Sequence, residues 1–322
     1  MTSLPRPTLA QLRLFLAVVR AGGFSEAAAD LGMSQSTLSE GVAGLERALD
    51  TRLLRRGPAG VTLTAAGSRA LEHAERAVQA AGDLLSAVQD TTHLKGVLRL
   101  AAPRSVATHL LPPVLAAFQK QHPGVQFQIL DADHTLHSAP GGSGEAMLLS
   151  GQADVAVVHL PVHLSLLTWP FYRDDYLLVV PETHLGAGSV LGQAHWADIT
   201  DHPLMLPSAG DNCNLLIRGY LREHHQSVPP VVEVENDSVT LGMVAHGLGH
   251  TILPRLAVLP LPAGLRLLSL PVALQRTLSV AVLPARAGLP SIAAMTSSLR
   301  RAGMERGAGG LPQNRIPELG TS

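Results

Sequence analysis

The spacing of apolar residues along the first fifty positions predicts three helices. Residues 8–21 form one amphipathic segment, which Gly22-Gly23 ends. Residues 25–31 form a shorter one, with Ser25 as its N-cap. From Ser34 the apolar positions again recur three and four residues apart, on one face of a third helix: Leu38, Val42, Leu45 and Leu49. Two helices joined by a short break have the outline of a helix-turn-helix.

A hairpin and a long helix follow. Residues 51–64 have the pattern of strand, Gly-Pro turn and strand, and after a helix-turn-helix such a hairpin predicts a wing. Residues 64–92 predict a helix roughly 40 Å long. Its apolar positions form a narrow stripe: Leu71, Ala74, Val78, Ala81, Leu85 and Val88. Because a long helix with a narrow apolar stripe usually pairs with another helix, this segment predicts a dimer.

Beyond Lys95-Gly96, short β-type runs alternate with helical segments. The expected strands are 97–102, 125–130, 154–160, 176–180, 203–206, 231–235, 250–253, 265–270 and 276–283, and the expected helices are 106–121, 144–151, 213–226 and 238–246. That alternation implies parallel sheets covered by helices on both faces, in one domain or in two small linked ones. The Gly- and Pro-rich residues 302–322 predict a disordered tail.

Composition limits where this protein works. The chain has 322 residues, a net charge of −1 and one cysteine, Cys213. A single cysteine excludes a disulfide within the chain, which fits a reducing compartment. No signal peptide or apolar run of membrane length is visible, so we expect a soluble, cytoplasmic protein with no membrane partner. The net charge gives no hint of nucleic acid, and any basic surface must therefore be local.

Residues 15–67 carry a pattern that resembles one family of regulators. The segment FLAVVRAGGFSEAAADLGMSQSTLSEGVAGLERALDTRLLRR…VTLTAAG contains a phenylalanine helix, then SEAAADL, S-Q, L-S, LE and L-T-x-x-G. It resembles the DNA-binding domain of LysR-type transcriptional regulators. Later segments, among them SGQADVAVV and VAHGLGHTILP, resemble the effector domain of the same family. The resemblance covers residues 4 to about 300.

The resemblance implies a fold and a set of partners. It implies a winged helix-turn-helix over 1–63, a linker helix for dimerisation over 64–93 and an α/β effector domain over 94–301. That domain would consist of two Rossmann-like subdomains, arranged as in a periplasmic binding protein: about 94–165 with 266–301, and about 166–265. The implied partners are a double-stranded DNA operator, further copies in a homodimer or homotetramer, a small-molecule effector or peroxide, and RNA polymerase. No cofactor is implied.

The third helix begins with side chains that suit both capping and base reading. Ser34 fits an N-cap. Four more polar residues can face the major groove, where Gln suits adenine, Ser fits several base edges and a Thr methyl touches thymine: Gln35, Ser36, Thr37 and Ser39. Residues 1–60 hold seven arginines against five acidic residues. We therefore expect phosphate contacts from the wing rather than a merely solvated hairpin edge, through Arg52, Arg55 and Arg56.

Glu40 departs from the family, which often has arginine or another polar or basic residue after L-S. A carboxylate beside phosphates is repulsive. Glu40 can accept a hydrogen bond from a cytosine amino group, face solvent or pair with an arginine. Of these, we favour solvent exposure or an arginine pair.

The resemblance also implies an effector cleft. The segment 100–113 runs from a strand into a helix, whose free amides and positive dipole end attract polar ligands, although Ser105 also fits a plain N-cap. Residues 131–136 follow the second strand and should line the other side of the cleft. A third segment, 248–254, resembles the family's strand near the hinge. The six expected contacts are Arg104, Ser105, Asp131, Asp133, His250 and Thr251.

Cys213 suggests a second way of sensing. If Asp211 caps the following helix, Cys213 lies in the first turn, where the dipole lowers the pKa of a thiol. The position resembles the peroxide-reactive cysteine of OxyR-type regulators, but the partner cysteine of the two-cysteine versions is absent. Oxidation would then stop at sulfenic acid, a mixed disulfide or a bond between subunits. The alternative is an inert, half-buried thiol.

Other classes of function have less support. Close histidine pairs occur at 134/137, 159/163 and 224/225, but no compact cluster joins them to Cys213, so we expect no metal. HExxH, G-x-S-x-G, P-loop and GxGxxG motifs are all absent from the sequence, so we do not expect an enzyme. A small-molecule sensor that does not read DNA remains a competing hypothesis.

Overall fold

The computed structural model describes residues 6–57, 60–88, 94–133, 142–162, 165–183, 192–209, 211–227 and 231–309. The chain divides into two compact units, one built around the first ninety residues and one around the rest. In the part of the chain that is described, no helix is long and apolar enough to cross a membrane.

The N-terminal unit confirms the predicted helix-turn-helix and hairpin. Its elements are α1 (Leu9–Ala21), α2 (Phe24–Leu31), α3 (Gln35–Ala48), β1 (Leu54–Gly57), β2 (Gly60–Leu63) and α4 (Ala65–Ala87). Two details of the sequence prediction are wrong. The N-cap of α2 is Gly23 rather than Ser25, because the helix already begins at the buried Phe24. Leu49 ends α3 as its C-cap and is 41% exposed, so it does not belong to the buried stripe.

Helix α3 packs tightly on α1 and the hairpin. Leu38, Val42 and Leu45 are buried in the core of this unit. A Cβ on Gly41 would approach Leu14 Cδ1 to 2.2 Å, which explains a glycine inside the helix. The carboxylate of Glu46 accepts hydrogen bonds from the backbone N–H groups of residues 53 and 54, at 2.7 and 3.1 Å. The start of β1 is therefore fixed to α3.

Helix α4 has 23 residues and is about 35 Å long. Its first half carries apolar side chains that pack on the N-terminal core: Ala66, Ala70, Leu71, Ala74 and Val78. Near its C-terminal end the apolar residues lie in solvent, with Leu84 67% and Leu85 62% exposed. The predicted stripe is thus divided between a buried part and an uncovered part.

The larger unit is an α/β domain with nine strands among its described residues. Its strands are β3 (Lys95–Ala102), β4 (Gly124–Asp131), β5 (Val155–His159), β6 (Leu167–Pro181), β7 (Leu204–Leu206), β8 (Val231–Glu233), β9 (His250–Pro254), β10 (Leu265–Ser269) and β11 (Gln275–Val282). Its helices are α5 (Arg104–His109), α6 (Leu111–Gln121), α7 (Gly142–Leu149), α8 (Trp196–Thr200), α9 (Asn212–Glu223), α10 (Asp237–Ala245) and α11 (Pro290–Gly309). The strand order is β4-β3-β5-β11-β6-β9-β7-β8, with β10 also paired to β6.

Strand β6 joins the two subdomains. Its first half pairs with β11 as far as Asp175, and from Tyr176 it pairs with β9 and β10. Two separate apolar cores lie on either side of this change of partners. The expectation of wholly parallel sheets was wrong, because β11 runs antiparallel to β5 and β6, and β6 runs antiparallel to β9 and β10.

Three boundaries in the larger unit differ from the prediction. Strand β10 pairs with residues 177–181 of the second subdomain, so the chain returns to the first subdomain at β11 rather than at residue 266. The single helix expected over 106–121 is interrupted at Leu110, after which Pro112 and Pro113 stand in the first turn of α6. Residues 302–309 are helical instead of disordered, and residues 310–322 lie outside the described part.

A buried ion-pair network holds the first subdomain together. Asp154, just before β5, accepts from Arg99 Nη2 and from Arg286 Nη2, each at 2.7 Å. Arg99 N also donates to the same carboxylate over 2.7 Å. The two guanidinium groups hold the pKa of Asp154 below its usual value even though burial raises it.

Candidate nucleic-acid interface and effector cleft

Three side-chain hydroxyl groups cluster at the N-terminal end of α3. Ser34 Oγ accepts from Thr37 N at 3.2 Å, so Ser34 is the N-cap. The same oxygen lies 2.8 Å from Ser36 Oγ and 2.7 Å from Thr37 Oγ1. Three of the residues predicted to contact DNA are therefore brought together, and they bond to one another as well as being exposed.

Ser39 and Arg56 form a contact between α3 and the wing. Arg56 Nη2 donates to Ser39 Oγ over 2.7 Å. The Arg56 guanidinium also lies 4.1 Å from the centre of the Phe24 ring, in a cation–π contact. Both residues were predicted to contact DNA independently, and neither side chain is free in this arrangement.

A concavity of about 850 Å³ opens between α3 and the wing. It is lined by four arginines, Arg47, Arg52, Arg55 and Arg56, and by the acidic residues Glu46 and Asp50. With four arginines against two acidic side chains, the concavity has a net positive charge, as contact with a phosphate backbone requires.

The structure brings the predicted cleft residues of the first subdomain together. Arg104 N donates to Asp133 Oδ2 at 2.7 Å, and Arg104 Nη2 donates to Asp131 Oδ2 at 3.1 Å. Asp133 N in turn donates to Asp131 Oδ1 at 2.9 Å. Burial, together with the nearby charges of Asp131 and Asp237, raises the pKa of Asp133 to about 6, although the bond from Arg104 N opposes the rise.

Arg276 is a member of this cleft that the sequence did not reveal. It lies at the start of β11, is 6% exposed, and forms an ion pair with Asp174 at 2.8 Å. Its Nη2 also donates to Ser105 Oγ over 3.0 Å, so this predicted contact is occupied by the protein. Nothing in an alternating strand pattern distinguishes a buried, paired arginine from an exposed one. The one available signal was its place directly before 277–282, where four of the six residues are apolar.

Cys213 lies in the first turn of α9, as predicted. Asp211 caps that helix by accepting from Cys213 N at 2.7 Å, and the Tyr176 hydroxyl donates to Cys213 Sγ over 3.2 Å. Burial raises the pKa of the Cys213 thiol to about 12, in spite of the opposing positive charge of Arg276. Desolvation therefore outweighs the helix dipole from which a lowered pKa was expected.

His250 and Thr251 are not brought to this cluster. Both are buried in the second subdomain. Thr251 Oγ1 donates to Met205 O at 2.8 Å, and His250 Nδ1 lies 2.7 Å from Asp198 O. The His250 ring also stacks on His202, with 4.1 Å between the ring centres. These contacts join β9 to β7 and α8.

No metal site is formed within the described ranges, where no group of three or more His, Cys, Asp or Glu side chains is arranged to hold an ion. His159 lies beside the cleft, where burial and then Arg276 lower its pKa to about 3. His163, like His134 and His137, falls outside the described residues.

Comparisons with known proteins match both units. Residues 9–68 match the model "Bacterial regulatory helix-turn-helix protein, lysR family", and residues 91–303 match "LysR substrate binding domain". The chain is 36% identical to the probable HTH-type transcriptional regulator LrrA of Synechococcus elongatus, over 92% of this chain and 98% of that protein.

Peroxide regulators are also among the similar proteins. The chain is 33% identical to a probable hydrogen peroxide-inducible genes activator of Mycobacterium avium, over 79% of each. The solved structure of a cysteine-to-serine mutant of Corynebacterium glutamicum OxyR, with hydrogen peroxide bound, aligns with a TM-score of 0.58 and 26% identity, covering 95% of both chains.

Proposed function

Because this chain belongs to the LysR family of DNA-binding transcriptional regulators, a family of regulators rather than enzymes, we propose that it binds an inverted-repeat operator through α3 and the wing. The arginine-lined concavity beside the exposed first turns of α3 carries this proposal. Base contacts would come from the first turns of α3, and phosphate contacts from Arg52 and Arg55. RNA polymerase is a further proposed partner, and the cytoplasm is the proposed location.

We further propose a homodimer or homotetramer built on α4. The exposed Leu84 and Leu85 support it, because adjacent large apolar side chains in solvent are stabilised when a second helix covers them. Two half-sites one or more helical turns apart would then match the two copies. Sedimentation of the full chain, compared with its L84K/L85K variant, tests this part. A wild-type monomer would contradict it.

The effector is proposed to bind between the subdomains, beside Arg104 and Asp133 and at Arg276, which pairs with Asp174 just before β6 changes partners. Arg276 links the two sides, because it bonds Ser105 in the first subdomain and lies near Cys213 in the second. A ligand that competes for these bonds would change how far the two subdomains close on each other. That closure would in turn change the spacing of the two half-sites that the regulator binds.

Peroxide sensing through Cys213 is a second candidate. The contact between Cys213 Sγ and Tyr176 and the likeness to peroxide activators favour it. The raised thiol pKa opposes it, because the thiolate is the reactive form. An operator footprint with and without peroxide, and with a panel of small carboxylates, separates the two. A peroxide response that is lost in C213S supports the second candidate, and a carboxylate response that is retained in C213S supports the first.

A further inference from the structure

Most polar side chains at the start of α3 are already engaged within the protein. Ser34, Ser36 and Thr37 share their hydroxyl hydrogen bonds. Ser39 accepts from Arg56. Among the described residues, Gln35 and Glu40 form no hydrogen bond or ion pair, and both are exposed. Gln35 and Glu40 are thus the two side chains at the start of α3 that are wholly uncommitted among the described residues, and Glu40 is acidic.

Glu40 also lies on the outermost side of α3. A helix turns about 100° per residue, so Glu40 points roughly 140–160° away from each of the buried residues Leu38, Val42 and Leu45. Ser36, one turn earlier, lies on the same ridge. When α3 enters a groove with its core face held by the domain, this ridge reaches deepest towards the base edges.

No arginine neutralises Glu40 within the described part of the N-terminal unit. Arg56 is committed to Ser39 and the Phe24 ring. Arg47 follows seven residues later, about 10 Å along the helix axis, and its Nη2 lies back over Gly44. Of the two outcomes favoured from the sequence, solvent exposure is observed and the arginine pair is not formed. The carboxylate would therefore face the DNA without a partner.

A carboxylate accepts hydrogen bonds and donates none, so it can bind only a donor on a base edge. In the major groove the acceptors of guanine (N7 and O6) and of thymine (O4) repel it, and adenine presents its N6 donor directly beside the repelling acceptor N7. Cytosine presents a donor, its N4 amino group, and no acceptor of its own there. We propose that Glu40 is a specificity-determining residue that selects a cytosine in each operator half-site. This inference rests on the proposed operator binding by α3.

The test uses the full chain and a pool of random duplexes from which bound sequences are selected and sequenced. Wild type is expected to enrich one C·G pair per half-site, with roughly 5- to 150-fold discrimination against other bases. E40Q should lose that preference or move it towards A·T, because an amide donates as well as accepts. D30N, which removes an exposed charge from α2 in the same unit, should keep the wild-type preference.

A second measurement identifies the atoms. Replacing the selected cytosine by a pyrimidinone that lacks the 4-amino group should weaken wild-type binding about as much as E40Q does, and should not weaken E40Q further. The inference is overturned if E40Q keeps the wild-type base preference, including the case in which it binds every duplex more tightly. If wild type enriches no sequence at all, the proposed operator binding fails, and this inference fails with it.

Discussion

Arg56 of the wing and Ser39 of α3 are joined by a 2.7 Å hydrogen bond, and the stack of Arg56 on Phe24 extends that contact to α2. Three elements are thus fixed relative to one another by one guanidinium. Arg55, the neighbouring residue, is exposed and lines the concavity. The two adjacent arginines therefore have different roles.

R56K is expected to lower operator affinity about 5- to 30-fold at all salt concentrations, because lysine keeps the charge but cannot both stack and reach Ser39. R55A should instead flatten the dependence of log K on log salt by about 0.9, the value for one lost phosphate contact. Gel shifts over a salt series measure both quantities. Wild-type affinity in R56K would show that the contact with Ser39 does not position the wing.

The network around Asp154 makes the first subdomain sensitive to a single carboxylate. D154A leaves the side chains of Arg99 and Arg286 without their shared partner, so we expect a loss of about 3–5 kcal/mol in the free energy of unfolding. The pKa of Asp154 is lower in the folded state, so its stabilisation is present above the unfolded pKa and is lost as the pH falls through the folded pKa.

Urea unfolding of the full chain, followed by near-UV circular dichroism, measures the effect of D154A. D201A is the control, because it removes an exposed carboxylate from the second subdomain. D198A would not serve, since Asp198 is itself buried. A loss below about 1 kcal/mol in D154A would show that the two arginines find other partners.

The sequence predicted the elements well where local spacing decides them. The buried stripe of α3 and the Ser34 cap follow from residues at most four apart. The role of Ser39 could not be predicted, because it depends on Arg56, seventeen positions later, lying within 2.7 Å. The antiparallel course of β6 and β11 likewise depends on pairing across a hundred residues, as between Asp175 and Gln275.

The residues of the candidate cleft were likewise predicted only in part. Arg104, Ser105, Asp131 and Asp133 were expected in one cleft from the resemblance and from their places just after the first two strands. The structure gives the physical reason, because the parallel strands β3 and β4 end at the same edge of the sheet. His250 and Thr251 were expected there from the resemblance alone, and their side chains contact backbone carbonyls elsewhere. The pKa of Cys213 depends on burial, which helix position does not reveal.

Asp133 is expected to make stability rise on mild acidification. Its pKa of about 6 in the folded state lies above the ordinary value of 3.8, so the folded protein takes up a proton before the unfolded chain does. The contribution of Asp133 to stability should therefore increase as the pH falls from about 6 towards 4, opposite in sign to that of Asp154, and D133N should be more stable than wild type at pH 7.5. Melting temperatures at pH 7.5 and 5 measure this difference.

D131N is the matched control for D133N, because it removes a more exposed carboxylate from the same edge of the sheet. It should keep most of the rise in melting temperature between pH 7.5 and 5. An unchanged rise in D133N would mean that another group takes up the proton.

The Cys213 thiol is expected to react slowly in the folded protein. With a pKa of about 12, a far smaller fraction of this thiol is ionised at pH 7 than the few per cent of thiolate in an ordinary cysteine. Alkylation by iodoacetamide at pH 7.5 should therefore be at least about 100-fold slower in the native chain than in 8 M urea, as followed by intact-protein mass. Oxidation by peroxide should likewise be much slower in the native chain than in urea, because peroxide also reacts with the thiolate. Equal rates in the native and unfolded chains would contradict the burial of this thiol, and would make peroxide the first effector to examine at the operator.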